Sequence, residues 1–265
     1  MKITDAHGKN WIAEHRAIWK QKPGLRKYYS TQIFDRIIAE MTQGPTLQLG
    51  AGPGFFSRHH PGMVNSDIID NDGLDVIVDV HDLKFDVGEF CNIVGIDVLH
   101  HFAKPGVALN ECARVLCAGG RLVLIEPWAG PLGRLFFKYI HHEDCGEVQD
   151  PWNDAFPNSK DPMEGNAAIP ITVLHNQAGE LKHRVPHLQL LKVETFGCLS
   201  VLLTGGFQRV GLPAPIIQSC YSLENLLPKK MMNFCALRAI FVLEKKPEQS
   251  IVATRHYPGL RGVLN

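Results

Sequence analysis

Two spacings of apolar positions alternate along this chain, and each change of spacing marks an element. Trp11, His15, Ile18 and Trp19, and then Ile33, Phe34, Ile37, Ile38 and Met41, recur at three to four residues. That spacing predicts two amphipathic helices, over 10–21 and 25–41, broken at Pro23-Gly24 and closed by Gly44-Pro45. Leu47 and Leu49 then alternate with polar neighbours, as on a short strand. Further strands are expected over 62–69, within 75–85, over 93–102 and over 121–127, the last largely apolar and so buried on both faces. Between the last two, Leu109, Ala113 and Leu116 predict a helix from Pro105, ended by Gly119-Gly120. From 129 to 190 the chain is rich in Pro, Gly, Asn, His and Asp, and we expect an irregular lid or binding loop. Two more strands are expected over 190–198 and 236–244, with the stretches 202–207 and 223–232 between them as an acceptor wall. The polar tail beyond Lys245 is expected to be poorly ordered or draped on the surface.

The densest signal follows the first strand. Gly50, Gly52 and Gly54 fall at every second position, with Ala51 between them. Glycine permits positive φ and lets a ligand approach the bare backbone. The residues after the turn can open a helix, whose free N–H groups point into the turn. Strand, glycine turn and helix make a nucleotide-type cradle at the carboxyl edge of a parallel sheet. Phe55 occupies the third glycine position of the dinucleotide fingerprint, and the phosphate loop G-x-x-x-x-G-K-[ST] is absent. Asp67 lies 17 positions after Gly50, near the offset at which an acid accepts from ribose hydroxyls; Asp70 and Asp72 are nearby rivals.

The spacing G-x-G-x-G resembles the first motif of class I S-adenosylmethionine-dependent methyltransferases. The runs Asp97-Val-Leu-His-His-Phe and Arg114-Val-Leu-Cys-Ala-Gly-Gly-Arg-Leu-Val-Leu-Ile-Glu-Pro resemble their small-molecule branch, the type 11-like enzymes. The resemblance extends from 47 to about 128. It implies a Rossmann-like α/β fold: a seven-stranded, mostly parallel sheet with helices on both faces and the last strand antiparallel. It also implies that Gly50, Ala51, Gly52 and Gly54 form the cofactor turn, that Asp79 and the backbone of Val80 meet the adenine, and that Asp97 and His100 reach the methionyl end. Residues 1–45 would be a helical cover, in which Arg26, Tyr28 and Tyr29 are candidates to meet the cofactor carboxylate. Residues 46–245 would be the catalytic domain, with the lid inserted at about 129–190, and 246–265 a tail. One position departs from the pattern: Gln48 stands where the family usually has an acid.

Composition narrows the partners. Lys plus Arg and Asp plus Glu are 27 each, so no net field favours nucleic acid. No stretch of about 18 apolar residues predicts a membrane span, and the N-terminus lacks the apolar core of a signal peptide. Seven dispersed cysteines without C-x-x-C spacing suggest reduced thiols and a cytoplasmic location. The oligomeric state stays open.

Methyl transfer from a sulfonium depends mainly on holding two reactants in line. A base is needed only for a protonated acceptor, and a histidine near neutral pH suits that work. His100, His101 and His142 are the candidate catalytic residues, with Glu126 as a loop-holding alternative. Adjacent ligands in His141-His142-Glu143-Asp144 do not make the usual helical pair, so no metal is expected. The expected function is methyl transfer from S-adenosylmethionine to a small, possibly lipid-like acceptor. A non-catalytic binding protein of the same fold and an NAD-linked oxidoreductase are the alternatives.

Overall fold

The computed structural model describes residues 6–141, 144–156, 161, 164–208 and 210–247. Helix α1 (Ala6–Gln21) is separated by Lys22 from α2 (Pro23–Tyr28), where proline at the start needs no N–H partner. A single π-helical turn, Tyr29–Phe34, joins α2 to α3 (Asp35–Glu40). There follow β1 (Thr46–Leu49), α4 (Phe55–His59), β2 (Val64–Asp67), β3 (Val76–Ile77) and β4 (Phe90–Ile96). A 3-10 turn, Leu99–His101, leads to α5 (Pro105–Val115) and β5 (Leu116–Pro127). Beyond it come α6 (Pro131–Tyr139), α7 (Ile169–Ile171), a π-helical turn Thr172–Asn176, and α8 (Ala178–Arg184). The chain closes with β6 (Leu188–Phe196), α9 (Leu199–Thr204), α10 (Ala214–Glu224), α11 (Lys229–Cys235) and β7 (Arg238–Lys245).

The seven strands form one sheet in the order β3-β2-β1-β4-β5-β7-β6. Only β7 runs antiparallel to its neighbours, inserted between β5 and β6. The fold expected from the sequence is therefore the fold observed. Its physical basis is the two-residue period of the strands. Leu47, Ile93, Leu122, Leu124 and Phe241 pack into the core on one face of the sheet, with α5. Their sequence neighbours Val94, Val123, Ile125, Ile240 and Val242 pack into the core on the other face, with the helices around Ile33 and Phe34. Both faces are covered, so β4, β5 and β7 read as continuous apolar runs.

Three local expectations change. Helix α5 ends at Val115, and the chain is already extended at Leu116, which pairs with Phe90. Gly119-Gly120 is thus an irregularity inside β5. The earlier stop is secured by Lys245, whose ammonium donates to the Arg114 and Leu116 carbonyls at 3.4 and 2.6 Å, and by the Gly88 N–H on Arg114 O. The stretch 129–190, expected to be irregular, contains α6, α7 and α8. Pro131 and Pro170 sit in the first turns of α6 and α7, where proline starts helices and does not break them. Of the expected acceptor wall, Leu202 and Phe207 line the main cleft, but 223–232 lies apart from it. The expected tail from 248 lies outside the described residues.

Candidate functional site

A cleft of about 1150 Å³ opens at the carboxyl ends of β1, β2 and β4. The turn from β1 to α4 forms its floor. Gly50, Gly52 and Gly54 have φ of +61°, +48° and +74°. Their reasons differ. A Cβ on Gly50 would lie 2.3 Å from Val98 Cγ1, so glycine there serves packing. A Cβ on Gly52 would meet nothing closer than Trp11 at 3.8 Å, so the left-handed backbone and not packing calls for glycine there. Gly54 is the left-handed N-cap of α4. The Ala51 N–H donates to Ser66 O at 2.9 Å and ties the turn to β2.

Asp67 ends β2 beside this turn. Its Oδ2 accepts the Gly52 N–H at 2.8 Å and its Oδ1 accepts the Ile69 N–H at 3.0 Å. Burial pushes its carboxyl above the usual range, and the hydrogen bonds from Ile69 and Gly52 offset that only in part. Asp67 thus fastens the glycine turn from below, a role the sequence does not reveal. Gln48, on β1, is 3% exposed, lines the cleft, and its Oε1 has no hydrogen-bond partner. A buried acceptor with no donor is costly, so this atom marks a place for a donor on a ligand.

Asp79 and Val80 line the same cleft. Asp79 accepts from the His81 N–H at 2.9 Å and pairs with His81 Nδ1 at 2.6 Å. Burial raises its carboxyl pKa, but these bonds outweigh it and leave the group below its usual value.

Asp97 follows β4 at φ +56°, the one described residue other than glycine with positive φ. Its carboxylate receives the Arg238 guanidinium through both oxygens, Nη2 to Oδ2 at 2.8 Å. Burial raises the Asp97 carboxyl, and Arg238 more than reverses that, holding it low. Tyr29 stands beside the pair; burial pushes its phenol up to about 12, with Arg238 pulling the other way. Arg238 was not singled out from the sequence. Its signal is a cation placed directly before the apolar run of β7.

His100 lies on the 3-10 turn, 2% exposed, with Nδ1 2.7 Å from Glu126 Oε2. Glu126, fully buried at the end of β5, also accepts the Val98 and Leu99 N–H groups on Oε1 at 3.0 and 2.8 Å. Three donors suit an ionised carboxylate. It fixes the turn and orients the His100 ring through Nδ1. His101 Nδ1 bonds to Glu164 O at 2.9 Å. Gly165 passes over both rings, and a Cβ there would lie 2.8 Å from His101 Cε1. His142 lies outside the described residues. Among the described residues, Asp97, His100 and Glu126 offer ligand atoms within 4.8 Å of one another. Arg238 and the backbone amides already occupy the two carboxylates, so we read this trio as a hydrogen-bonded support.

The N-terminal segment lies across the cleft. Arg16 donates to Pro53 O, Asn71 Oδ1 and Asp72 O at 3.1, 3.2 and 2.8 Å, tying α1 to the glycine turn and to the loop after β2. Lys22 donates to the carbonyls of Gly206, Gln208 and Val210. Between these ties the rings stack: Trp19 on Phe55 at 4.0 Å, and His15 on Phe207 at 4.0 Å. Burial lowers the His15 pKa to about 4, so the ring is neutral at pH 7. Of the three residues proposed for a cofactor carboxylate, only Tyr29 lines the cleft. Arg26 donates to Trp19 O and Lys20 O, and Tyr28 is buried beside Tyr221.

Sheet order, glycine turn and strand-end acids together define a Rossmann-like fold of the class I methyltransferase type. Residues 47–124 match the family model described as a methyltransferase domain. No curated protein matches. Among solved structures the chain is similar to a SAM-dependent methyltransferase from Thermotoga maritima, at 12% identity over 90% of this chain and 94% of that one, with a TM-score of 0.49. It is also similar to a SAM-dependent methyltransferase from Archaeoglobus fulgidus, at 14% identity over 83% and 94%, with a TM-score of 0.47. A third likeness is the [4+2]-cyclase SpnF, at 15% identity over 81% and 80%, with a TM-score of 0.42.

Proposed function

We propose that this protein transfers a methyl group from S-adenosylmethionine to a small, partly apolar acceptor. The observation that carries the reading is the orphaned Gln48 Oε1, buried in the cleft beside the turn at Gly52. A cofactor with an ammonium group supplies the missing donor, and the turn residues Gly50 and Ala51 line the cleft with Gln48. S-adenosylmethionine when bound supplies an electrophilic methyl group on a sulfonium.

The chain's own residues have the following roles in this reading. Gln48 accepts from the ammonium end. Asp67 holds the Gly52 amide and has acceptor sites left for ribose hydroxyls, since a carboxylate offers about four. Val80 and Asp79 border the adenine. Arg238 and Tyr29, with Asp97, form the polar wall of the methionyl and acceptor end. His100, oriented by Glu126, borders the acceptor end as the candidate base for an acceptor that arrives protonated. Helix α1 and Phe207 exclude water above the turn. An NAD-linked reading fits less well, because the Phe55 ring packs on Trp19 where the dinucleotide fingerprint needs glycine or alanine.

Calorimetry with S-adenosylmethionine and S-adenosylhomocysteine tests the proposal. Both are expected to bind, and Gly52→Val is expected to abolish binding while the thermal transition persists. Gln48→Leu is expected to bind less well by roughly tenfold, the worth of one hydrogen bond to a charged group. No heat and no thermal shift with either ligand would overturn the reading and favour a methyltransferase-like protein that no longer uses the cofactor.

A further inference from the structure

The outer face of α6 and α11 beside the cleft is apolar, and the charged residues of these two helices are all positive, whereas the exposed acids Asp144, Asp161 and Glu164 line the cleft itself. On and just after α6, Leu135, Tyr139 and Ile140 are 53%, 71% and 75% exposed. Before and on α11, Leu226, Met231 and Phe234 are 79%, 54% and 57% exposed. The two helices form one surface. The Trp128 indole donates to Asn233 O at 3.0 Å, and Gly133 of α6 comes so close to Trp128 and to Ala236 O that a Cβ would not fit. The apolar residues of α6 lie at i and i+4, and Arg134 and Lys138 flank them at the same spacing. Lys229 and Lys230 open α11. All four cations are exposed, and the Lys138 ammonium lies over the Tyr139 ring at 5.4 Å. No acid occurs between 129 and 141. Between 197 and 237 the only acid is Glu224, buried and turned inward to accept from Ser200 at 2.7 Å.

We infer that α6, α11 and the α10–α11 connection seat this protein on an anionic lipid bilayer. Exposed aromatic and aliphatic side chains ringed by lysine and arginine are what a helix needs to lie in the headgroup region. A second copy of the same face would be a poor occupant, because two-fold pairing would set these four cations against their own copies. Among the described residues no helix is long and apolar enough to cross a membrane, so the contact is interfacial. The inner side of α6 gives the face its functional meaning. Phe136 and Phe137 line the cleft and the exposed Ile140 stands at its rim, so docking brings the mouth of the cleft to the lipid surface. On the reading of the cleft proposed above, the acceptor is an amphiphile drawn from that surface.

Sedimentation with phosphatidylcholine vesicles, with and without phosphatidylserine, tests the inference on the full chain. The protein is expected to bind the phosphatidylserine vesicles preferentially, and less as salt is raised, because the Debye length shrinks from about 10 Å at 0.1 M to about 3 Å at 1 M. Lys138→Ala and Lys230→Ala are each expected to weaken binding roughly fivefold. Leu135→Glu and Phe234→Glu should abolish it while leaving the thermal melt unchanged. Equal binding to both vesicle types, no binding to either, or binding untouched by the face variants would overturn the inference. So would a dimer in ultracentrifugation that Phe234→Glu dissociates, because a second copy would then cover the face. Vesicle binding without cofactor heat would uphold the docking face and overturn only the methyl-transfer reading of the cleft.

Discussion

Glu126 is the residue on which the arrangement around His100 depends most directly. Its carboxylate is fully buried and receives Val98 N–H, Leu99 N–H and His100 Nδ1 at 3.0, 2.8 and 2.7 Å. Glu126→Gln keeps the volume and keeps one oxygen for the two backbone donors. It replaces the charged acceptor with a neutral one and turns an amide N–H₂ toward His100 Nδ1. Hydrogen bonds to a charged partner contribute about 1.5–3 kcal/mol and neutral ones about 0.5–1.5 kcal/mol. Three weakened bonds cost about 3 kcal/mol, offset in part because the buried charge is gone. The expected net loss is about 1–2 kcal/mol. Glu126→Ala instead leaves three buried donors without an acceptor, at about 1–3 kcal/mol each. Relaxation and entry of water reduce the sum to about 3–6 kcal/mol, a large share of the 5–15 kcal/mol typical of a domain. Urea unfolding followed by tryptophan fluorescence gives both values. Nitrogen NMR of the His100 ring gives the tautomer, expected to move its proton from Nδ1 to Nε2 in the glutamine variant. Equal losses for Gln and Ala, a loss below about 1 kcal/mol for Ala, or an unchanged tautomer would refute the reasoning.

Two further outcomes follow from the geometry of the cleft. Gly50→Ala is expected to cost about 2–4 kcal/mol in urea unfolding, from the left-handed backbone and from overpacking against Val98; adding Val98→Ala should recover only the packing part, and a single variant as stable as the parent would show that the turn yields easily. Burial lowers the His15 pKa to about 4 from the ordinary value of about 6.5, so the unfolded chain binds its proton more readily. Stability from this residue is therefore present above about pH 6.5 and is lost as pH falls toward 4, and His15→Phe, which keeps the ring stack, should show a smaller drop in melting temperature between pH 7 and pH 5 than the parent.

The sheet was legible in the sequence because its information is local. Alternating and continuous apolar runs specify strands buried on one or both faces, and three glycines after the first of them announce a turn with positive φ. The helices hidden in 129–190 were less legible, because proline and glycine count as breakers in a sequence pattern but begin or close-pack helices here, as Pro131 and Gly133 do in α6. Glu126 and His100 are 26 positions apart, and nothing local says that one orients the other.

By itself the sequence determined the order of the elements from α1 to β5, the buried faces of the strands and the place of the glycine turn, since each depends on residues within a few positions of one another. Tertiary structure alone decided that Arg238 meets Asp97 across 141 positions, that Asp67 fastens the turn at Gly52, and that Gln48 is left with an unanswered acceptor. Those relations arise from strand order and register, which bring distant side chains within hydrogen-bond reach only after the sheet has assembled.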